Sequence, residues 1–302
     1  MEERLYRPSG KTSPMFFLLY VLVVPVAAVL LSFAYIYLVY YIPFVYLNLF
    51  IAIGCGILCG TLVPVAWGKM RNKSIAVISG LIAALLMKYL MWLVYIPLVY
   101  SKAYQTFDYD FLDCLNLSAS LFFDPRGVFA FIREINGYGV WSIRRLEVRG
   151  VLLYIVWLAE LFVLAGSCII TTVNRSQQPY SEDTGKWFQA GAKKIETDLP
   201  ARSDRFKDQL LAGDSTELQT LLSRPMTHSD NCLRLSYYYL EDLSYGYVTA
   251  EVVTREADRK GKVREHTDTI LSYVRVDYSI IATLKAMAAQ PEESRPATDK
   301  AV

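Results

Sequence analysis

The sequence predicts an α-helical membrane domain of about four transmembrane helices, joined to a small soluble α+β domain with an antiparallel sheet. Three observations predict it. Long apolar runs dominate the chain up to Arg175, whereas beyond it polar and apolar residues mix as in an ordinary soluble domain. Lys and Arg flank the apolar runs unevenly, as topology requires. The last third carries segments rich in β-branched and aromatic residues, separated by turn residues.

A spanning helix needs about 20 largely apolar residues. The runs 15–40, 44–67, 74–100 and 151–173 meet that requirement. Ser32 is the only clearly polar side chain of the first run apart from tyrosine hydroxyls. That run is too long for a signal-peptide core and lacks a cleavage site, so it reads as a retained anchor. Pro43 suits the start of the second helix. These runs and the segment between them make residues 1–175 the transmembrane domain.

Basic residues set the orientation. Arg4, Arg7 and Lys11 precede the first run, and Lys69, Arg71 and Lys73 share the acid-free loop between the second and third. Both termini are therefore expected in the cytoplasm, in a multi-pass protein of the inner membrane. Tyr35, Tyr37, Tyr40, Tyr41 and Tyr46, with Tyr95, Tyr100 and Tyr104, read as an outer aromatic belt. Arg144, Arg145 and Arg149 precede the fourth run and pull the other way.

The outer segment 101–150 is too long for a plain loop. Asp124-Pro125 reads as an N-cap followed by proline at the first helical position. Val128, Phe129, Phe131, Ile132 and Ile135 then give an amphipathic helix, ended by Asn136-Gly137 and suited to the membrane surface.

Residues 176–202 read as a linker with one short helix, whose Trp187, Phe188 and Ile195 would rest on the inner membrane face. The cytoplasmic α+β domain is expected over 203–290. Ser203 caps a first helix that Gly213 stops, and Asp214 with Glu217 opens a second one. Strands start near Leu233, Tyr247 and Val263, and Tyr278 to Ala289 closes as a helix. The charged, proline-bearing tail 291–302 is expected to be disordered. From Ser176 onward, 17 Lys and Arg stand against 20 Asp and Glu, which excludes the basic footprint of a nucleic-acid binder.

Two charges lie inside the runs. Lys88 follows Lys73 by fifteen residues and Glu160 precedes Arg175 by fifteen. At 1.5 Å per residue both sit roughly 22 Å from the inner anchors, so an ion pair is expected. A structural tie, separate snorkelling and a transport or proton-relay role are the three readings of that pair. Ala76, Gly80 and Ala84 lead to Lys88 at four-residue spacing, and Ala52, Gly56 and Gly60 repeat the device in the second run. Such stripes let helix backbones approach closely.

Other strings carry no chemistry. Cys55, Cys59, Cys114, Cys168 and Cys232 form no CxxC pair, so neither a disulfide framework nor a zinc site is expected. SGKTS has Leu5 where a phosphate loop needs its first glycine, and GCGILCG lies inside an apolar run. His228 and His266 lack a nucleophile or carboxylate at catalytic spacing. No catalytic residue, metal or cofactor is predicted.

The head YRPSGKTS, the loop GKMRNKS, the outer NGYGVWS and the WLAE of the fourth run resemble a group of uncharacterised bacterial four-span membrane proteins with a soluble C-terminal domain. The likeness covers roughly the first 190 residues. It implies a bacterial cytoplasmic membrane and brings no activity.

The expected function is a non-enzymatic, membrane-anchored scaffold, assembly factor or sensor, with the lipid bilayer and a protein bound by the cytoplasmic domain as its partners. The alternative is a small transporter or membrane-embedded enzyme using Lys88 and Glu160. A polar cavity around the pair favours the alternative, and a dry, sealed pair favours the scaffold.

Overall fold

The computed structural model describes residues 4–42, 45–103, 111–139, 141–143, 146–224, 226, 231–257 and 263–289. The chain forms two compact units: Ser9–Gln177, and Met1–Pro8 with Gln178–Val302. His228, Arg144, Arg145, the turn at 258–262 and the tail 291–302 fall outside the described residues.

The first unit is helical. It contains α1 (Pro14–Tyr41), α2 (Val45–Leu62), α3 (Lys73–Ala103), α4 (Phe111–Phe122), α5 (Pro125–Tyr138), the hairpin β1 (Trp141–Ile143) and β2 (Leu146–Val148), and α6 (Val151–Ser176). Among the described residues, three of its helices are long and apolar enough to cross a membrane: α1, α3 over 73–99, and α6. Ser13 starts α1 by accepting the Met15 N–H, and Pro14 takes the first turn, where no N–H is needed.

Helix α2 corrects the expected run 44–67, because it stops at Leu62. Pro64 has no N–H to give the helix and disfavours helical backbone at the residue before it. The chain then turns tightly, with Gly68 N–H donating to the Pro64 carbonyl at 2.9 Å and Met70 N–H to that of Val65 at 3.0 Å. Gly68 is required there, since a Cβ would lie 2.6 Å from the Cα of Phe16.

The head of this unit packs on the same turn. Arg71 N–H donates to the Lys11 carbonyl at 2.9 Å, and its side chain donates to Ser9 Oγ at 3.1 Å. Arg175, at the far end of α6, donates to the carbonyl of Thr61. The start of α1, the end of α2, the start of α3 and the end of α6 thus share one end of the bundle.

Between α3 and α6, helix α4 stands where the sequence carries no clear helix signal. It is tied to α3 by Ser118 Oγ donating to the Leu93 carbonyl at 2.8 Å. Asp124 caps α5 through its bond from Gly127 N–H at 3.0 Å. The expected end at Asn136-Gly137 is corrected: α5 runs on to Tyr138, and Gly139, at φ 82°, closes it. The Asn136 amide is buried and donates to the Gly150 carbonyl at 3.0 Å, tying α5 to the start of α6 instead of breaking the helix.

The second unit is built on an antiparallel sheet. Its elements are β3 (Tyr180–Ser181), β4 (Lys186–Trp187), β5 (Gln189–Ala190), β6 (Ile195–Thr197), α7 (Ser203–Ala212), α8 (Thr216–Ser223), β7 (Asn231–Tyr239), β8 (Tyr245–Ala257), β9 (Val263–Asp277) and α9 (Tyr278–Ala289). The main sheet runs β5-β7-β8-β9, with β6 beside β5 on the same edge of β7. Leu233, Leu235, Val248, Ala250, Leu271 and Val274 point to one face, where Phe206, Leu218, Ile281 and Leu284 from the three helices complete the core.

The linker expected over 176–202 is corrected here. In place of a surface helix the segment forms four short strands, and two of them extend the main sheet. Ile195 is fully buried in the core and Phe188 packs on Tyr245 and Tyr247. The alternation of Ile195-Glu196-Thr197 buries every second side chain against β7, a period of two that a helix cannot use. The N-terminal residues join this unit too: Leu5 bridges to Val274 and Tyr6 N–H donates to the Tyr273 carbonyl at 2.9 Å. Tyr273 sits on a bulge with φ 54°, which presents that carbonyl to the added segment. Ser203 is the first residue of α7 and makes no capping bond, so Arg202 holds the cap position assigned to the serine.

On the opposite face of the sheet, Arg234 and Arg255 both donate to Glu196 at 2.8 Å, and both also reach Glu265. Burial works against the Glu196 carboxylate, yet the bonds and charges of Arg255 and Arg234 outweigh it and hold its pKa below the ordinary value.

Candidate functional site: an ion pair at the wall of an interhelical cavity

Lys88 and Glu160 meet. Lys88 Nζ donates to Glu160 Oε2 at 2.9 Å, joining α3 to α6, and the two side chains are 14% and 17% exposed. Fifteen residues separate each from its basic anchor at the shared end of the bundle, and equal rise per residue puts both at one level. Lys88 also stands 5.9 Å from the ring centre of Trp92, one turn further along α3.

The small residues position that pair. Gly56 and Gly60 of α2 press on α6: a Cβ at Gly56 would lie 2.5 Å from the Leu164 carbonyl oxygen, and one at Gly60 2.5 Å from that of Cys168. Gly80 of α3 presses on the same stretch, its would-be Cβ 3.0 Å from Ile169 Cα. Ala52, Ala76 and Ala84 are fully buried. Helix α6 is therefore clasped between α2 and α3 along its second half, with Thr172 Oγ1 donating within α6 to Cys168 at 2.8 Å and reaching the Gly60 carbonyl at 3.4 Å. Cys55, Cys59 and Cys168 are free and buried in this packing, and Cys59 touches Cys168 across the seam. Helix α1 is fastened separately to α3, by Tyr20 donating to the Ser79 carbonyl at 2.7 Å and Ser32 to that of Met87 at 3.0 Å.

Beyond the clasp the four helices part around a cavity of about 300 Å³. Lys88 and Glu160 sit in its wall, with Trp92 and Tyr95 of α3, Trp157 of α6, Tyr35 of α1 and Asn48 of α2. The Trp92 and Trp157 rings meet edge to face at 4.8 Å. Tyr35 is 2% exposed, and its hydroxyl has no hydrogen-bond partner; the same holds for Asn48 Oδ1.

The pair and the small-residue stripes stand where the sequence spacing places them. Tyr35 and Tyr95, expected in an outer aromatic belt, both line the cavity. Asn48 lines the same cavity and is not among the residues that the sequence singled out. It is the only side-chain amide in the four apolar runs, and that isolation was the available signal. His266 lies exposed on β9 beside Asp268 at 3.4 Å, and the described residues hold no group of three His, Cys, Asp or Glu able to bind a metal.

No family model, curated protein or solved structure matches the chain.

Proposed function

We propose that the protein is a four-span integral membrane protein of the bacterial cytoplasmic membrane, with both termini in the cytoplasm. Its helical unit anchors a cytoplasmic α+β interaction domain, and it works without catalysing a reaction, as a sensor-type scaffold. The observation that carries the membrane reading is the outer surface of the bundle. Val21, Leu30, Phe50, Ile78, Phe162 and Ile170 are each more than half exposed there. Apolar area on that scale suits hydrocarbon and not water. The fourth crossing is assigned to α2, whose 18 residues extend roughly 27 Å, near the hydrocarbon thickness of about 30 Å. Lys11 and Lys69 to Lys73 gather at the end shared by the head and the end of α6, which favours that end as cytoplasmic.

Between sensor and transporter, the clasp of α6 is the observation in favour of the sensor. Glycine seams on two sides and an ion pair at 2.9 Å favour a bundle that stays assembled over one that rocks open. The pair's place in a cavity wall is the observation in favour of the transporter alternative. The experiment is crosslinking in cells followed by purification of the intact chain and mass spectrometry. A defined cytoplasmic partner should be recovered with the full chain and lost when residues 178–302 are removed. An identical set of neighbours with and without those residues would remove the interaction-domain reading.

A further inference from the structure

We propose that the cavity between α1, α2, α3 and α6 binds one hydrocarbon tail of a bilayer lipid, taken from the leaflet farther from the basic end of the bundle. This rests on the reading of the helical unit as membrane-embedded and deepens it, because the tail is what seals the Lys88–Glu160 pair.

Helical rise gives the depth of the cavity. Lys88 and Glu160 lie roughly 22 Å from the basic anchors, Tyr95 is seven residues further along α3, and Ile155 is five residues nearer the start of α6. The wall therefore covers a level roughly 22–33 Å from the basic end, the far half of a hydrocarbon layer about 30 Å thick.

Exposure gives the mouth. Among the wall residues, Leu49 of α2 and Ile155 of α6 are 42% and 57% exposed, whereas Tyr35 of α1 and Met91 of α3 are buried. The cavity thus opens sideways between α2 and α6, beside Phe50 and Leu158, which are themselves more than half exposed. The seam explains the opening. Gly60, Gly56 and Ala52 run at four-residue spacing along α2, and the next place in the series is Asn48, where a full side chain replaces a small one and the backbones no longer close.

Charge and bonding select a tail over a headgroup. Lys88 and Glu160 neutralise each other at 2.9 Å, so the wall offers a phosphate or an ammonium no net charge. The rest of the wall is dominated by aliphatic and aromatic side chains, against which a hydrocarbon chain leaves no donor or acceptor unsatisfied. A volume of about 300 Å³ lies at the small end of ligand pockets and has room for one chain segment. Left empty, the cavity forfeits dispersion contacts along its lining; filled with water, it weakens the ion pair. A tail avoids both, and tails surround the mouth. Occupancy and the pair are therefore linked, and bound lipid holds α3 to α6 more firmly.

The test reconstitutes the purified full chain in equal parts of phosphatidylethanolamine and phosphatidylglycerol with identical tails. Retained lipid is then read by native mass spectrometry from mild detergent. The parent should keep one lipid after the loosely held ones are stripped, with the two headgroups retained equally. Ala159→Phe and Ile155→Trp each place bulk in the mouth. Each should lower the retained fraction about tenfold, the factor carried by roughly two displaced methylene groups. Leu158→Phe, on the same helix and outside the cavity wall, should retain lipid as the parent does. Added lipid should raise the melting temperature of the delipidated parent by more than that of either mouth variant. If Ala159→Phe does not fold, Ile155→Trp, on the exposed surface, carries both comparisons. The absence of retained lipid on the parent would overturn the proposal, and so would full retention by a folded mouth variant or equal loss in Leu158→Phe. Retention of one headgroup alone, the result for a headgroup site, or equal melting shifts would overturn it too. Failure of the membrane reading shows separately, as a chain released from bacterial membranes without detergent.

Discussion

Removing one partner of the Lys88–Glu160 pair should cost more than removing both. At 2.9 Å and an effective dielectric of 20 the direct attraction is roughly 6 kcal/mol. Desolvating each ion offsets several kcal/mol of that, so the pair as a whole contributes little net stability. A single substitution forfeits the attraction and keeps one desolvation penalty, which typically costs about 3–5 kcal/mol. Both side chains retain some exposure towards the cavity, which places the expected loss near the lower end, about 3 kcal/mol. Lys88→Met and Glu160→Gln should each lower the melting temperature of the purified full chain and the amount of folded protein in membranes. The double substitution should recover most of the loss, so that it costs less than either single change. The exchange Lys88→Glu with Glu160→Lys should be tolerated better than either half. Fully stable single variants whose effects simply add would refute the coupling and leave Lys88 as an independent, snorkelling side chain.

Three further outcomes follow from the packing and the sheet. Gly60→Leu should weaken the α2–α6 seam by about 1–3 kcal/mol or more, since even a Cβ would press on the Cys168 carbonyl; detergent melting that matches the parent would contradict the seam. A soluble fragment starting at Gln178 should stay folded and monomeric, whereas one starting at Ala201 lacks β5 and β6, bares the edge of β7 and should aggregate; equal behaviour of the two would contradict the strand assignment. In the fragment starting at Gln178, Glu196 has a depressed pKa, so its stabilisation is whole at neutral pH. It declines once the pH falls below the ordinary glutamate value of about 4.3, and it is gone below the folded value. Because Glu196 is only partly buried, the effect should be at most about 1 kcal/mol, and Glu196→Gln should flatten the acid limb of the melting curve. An unchanged acid limb in that variant would show that the Arg234 and Arg255 bonds do not depress the carboxyl.

Legibility in the sequence followed the strength of the local signal. Long apolar runs, the Asp124-Pro125 helix start and the β-branched segments near Leu233, Tyr247 and Val263 declare themselves by period and propensity, and helices or strands stand there. Lys88 and Glu160 were legible because charges are conspicuous in apolar surroundings and helical rise converts spacing into depth. What was lost depended on tertiary pairing. Strands of two or three residues, such as Gln189–Ala190 and Ile195–Thr197, carry too few side chains for a period to show, and only the edge of β7 gives them a reason to be extended. Leu5 and Tyr6 belong to the sheet unit although about 170 residues separate them from the rest of it, a closure invisible to a local reading. Tyr35 was read as part of a belt because tyrosine near a helix end is common at membrane interfaces, and its burial arises from tertiary packing that a local pattern does not show.

The central claim, a multi-pass membrane protein whose sheet domain lies in the cytoplasm, is tested most directly by topology reporters in living bacteria. A reporter active only outside the cytoplasm would be fused after Lys300, and in a second strain between residues 104 and 110. The account predicts silence from the first fusion and strong activity from the second. Activity from the fusion after Lys300 would contradict the orientation, and silence from both would contradict the crossing itself.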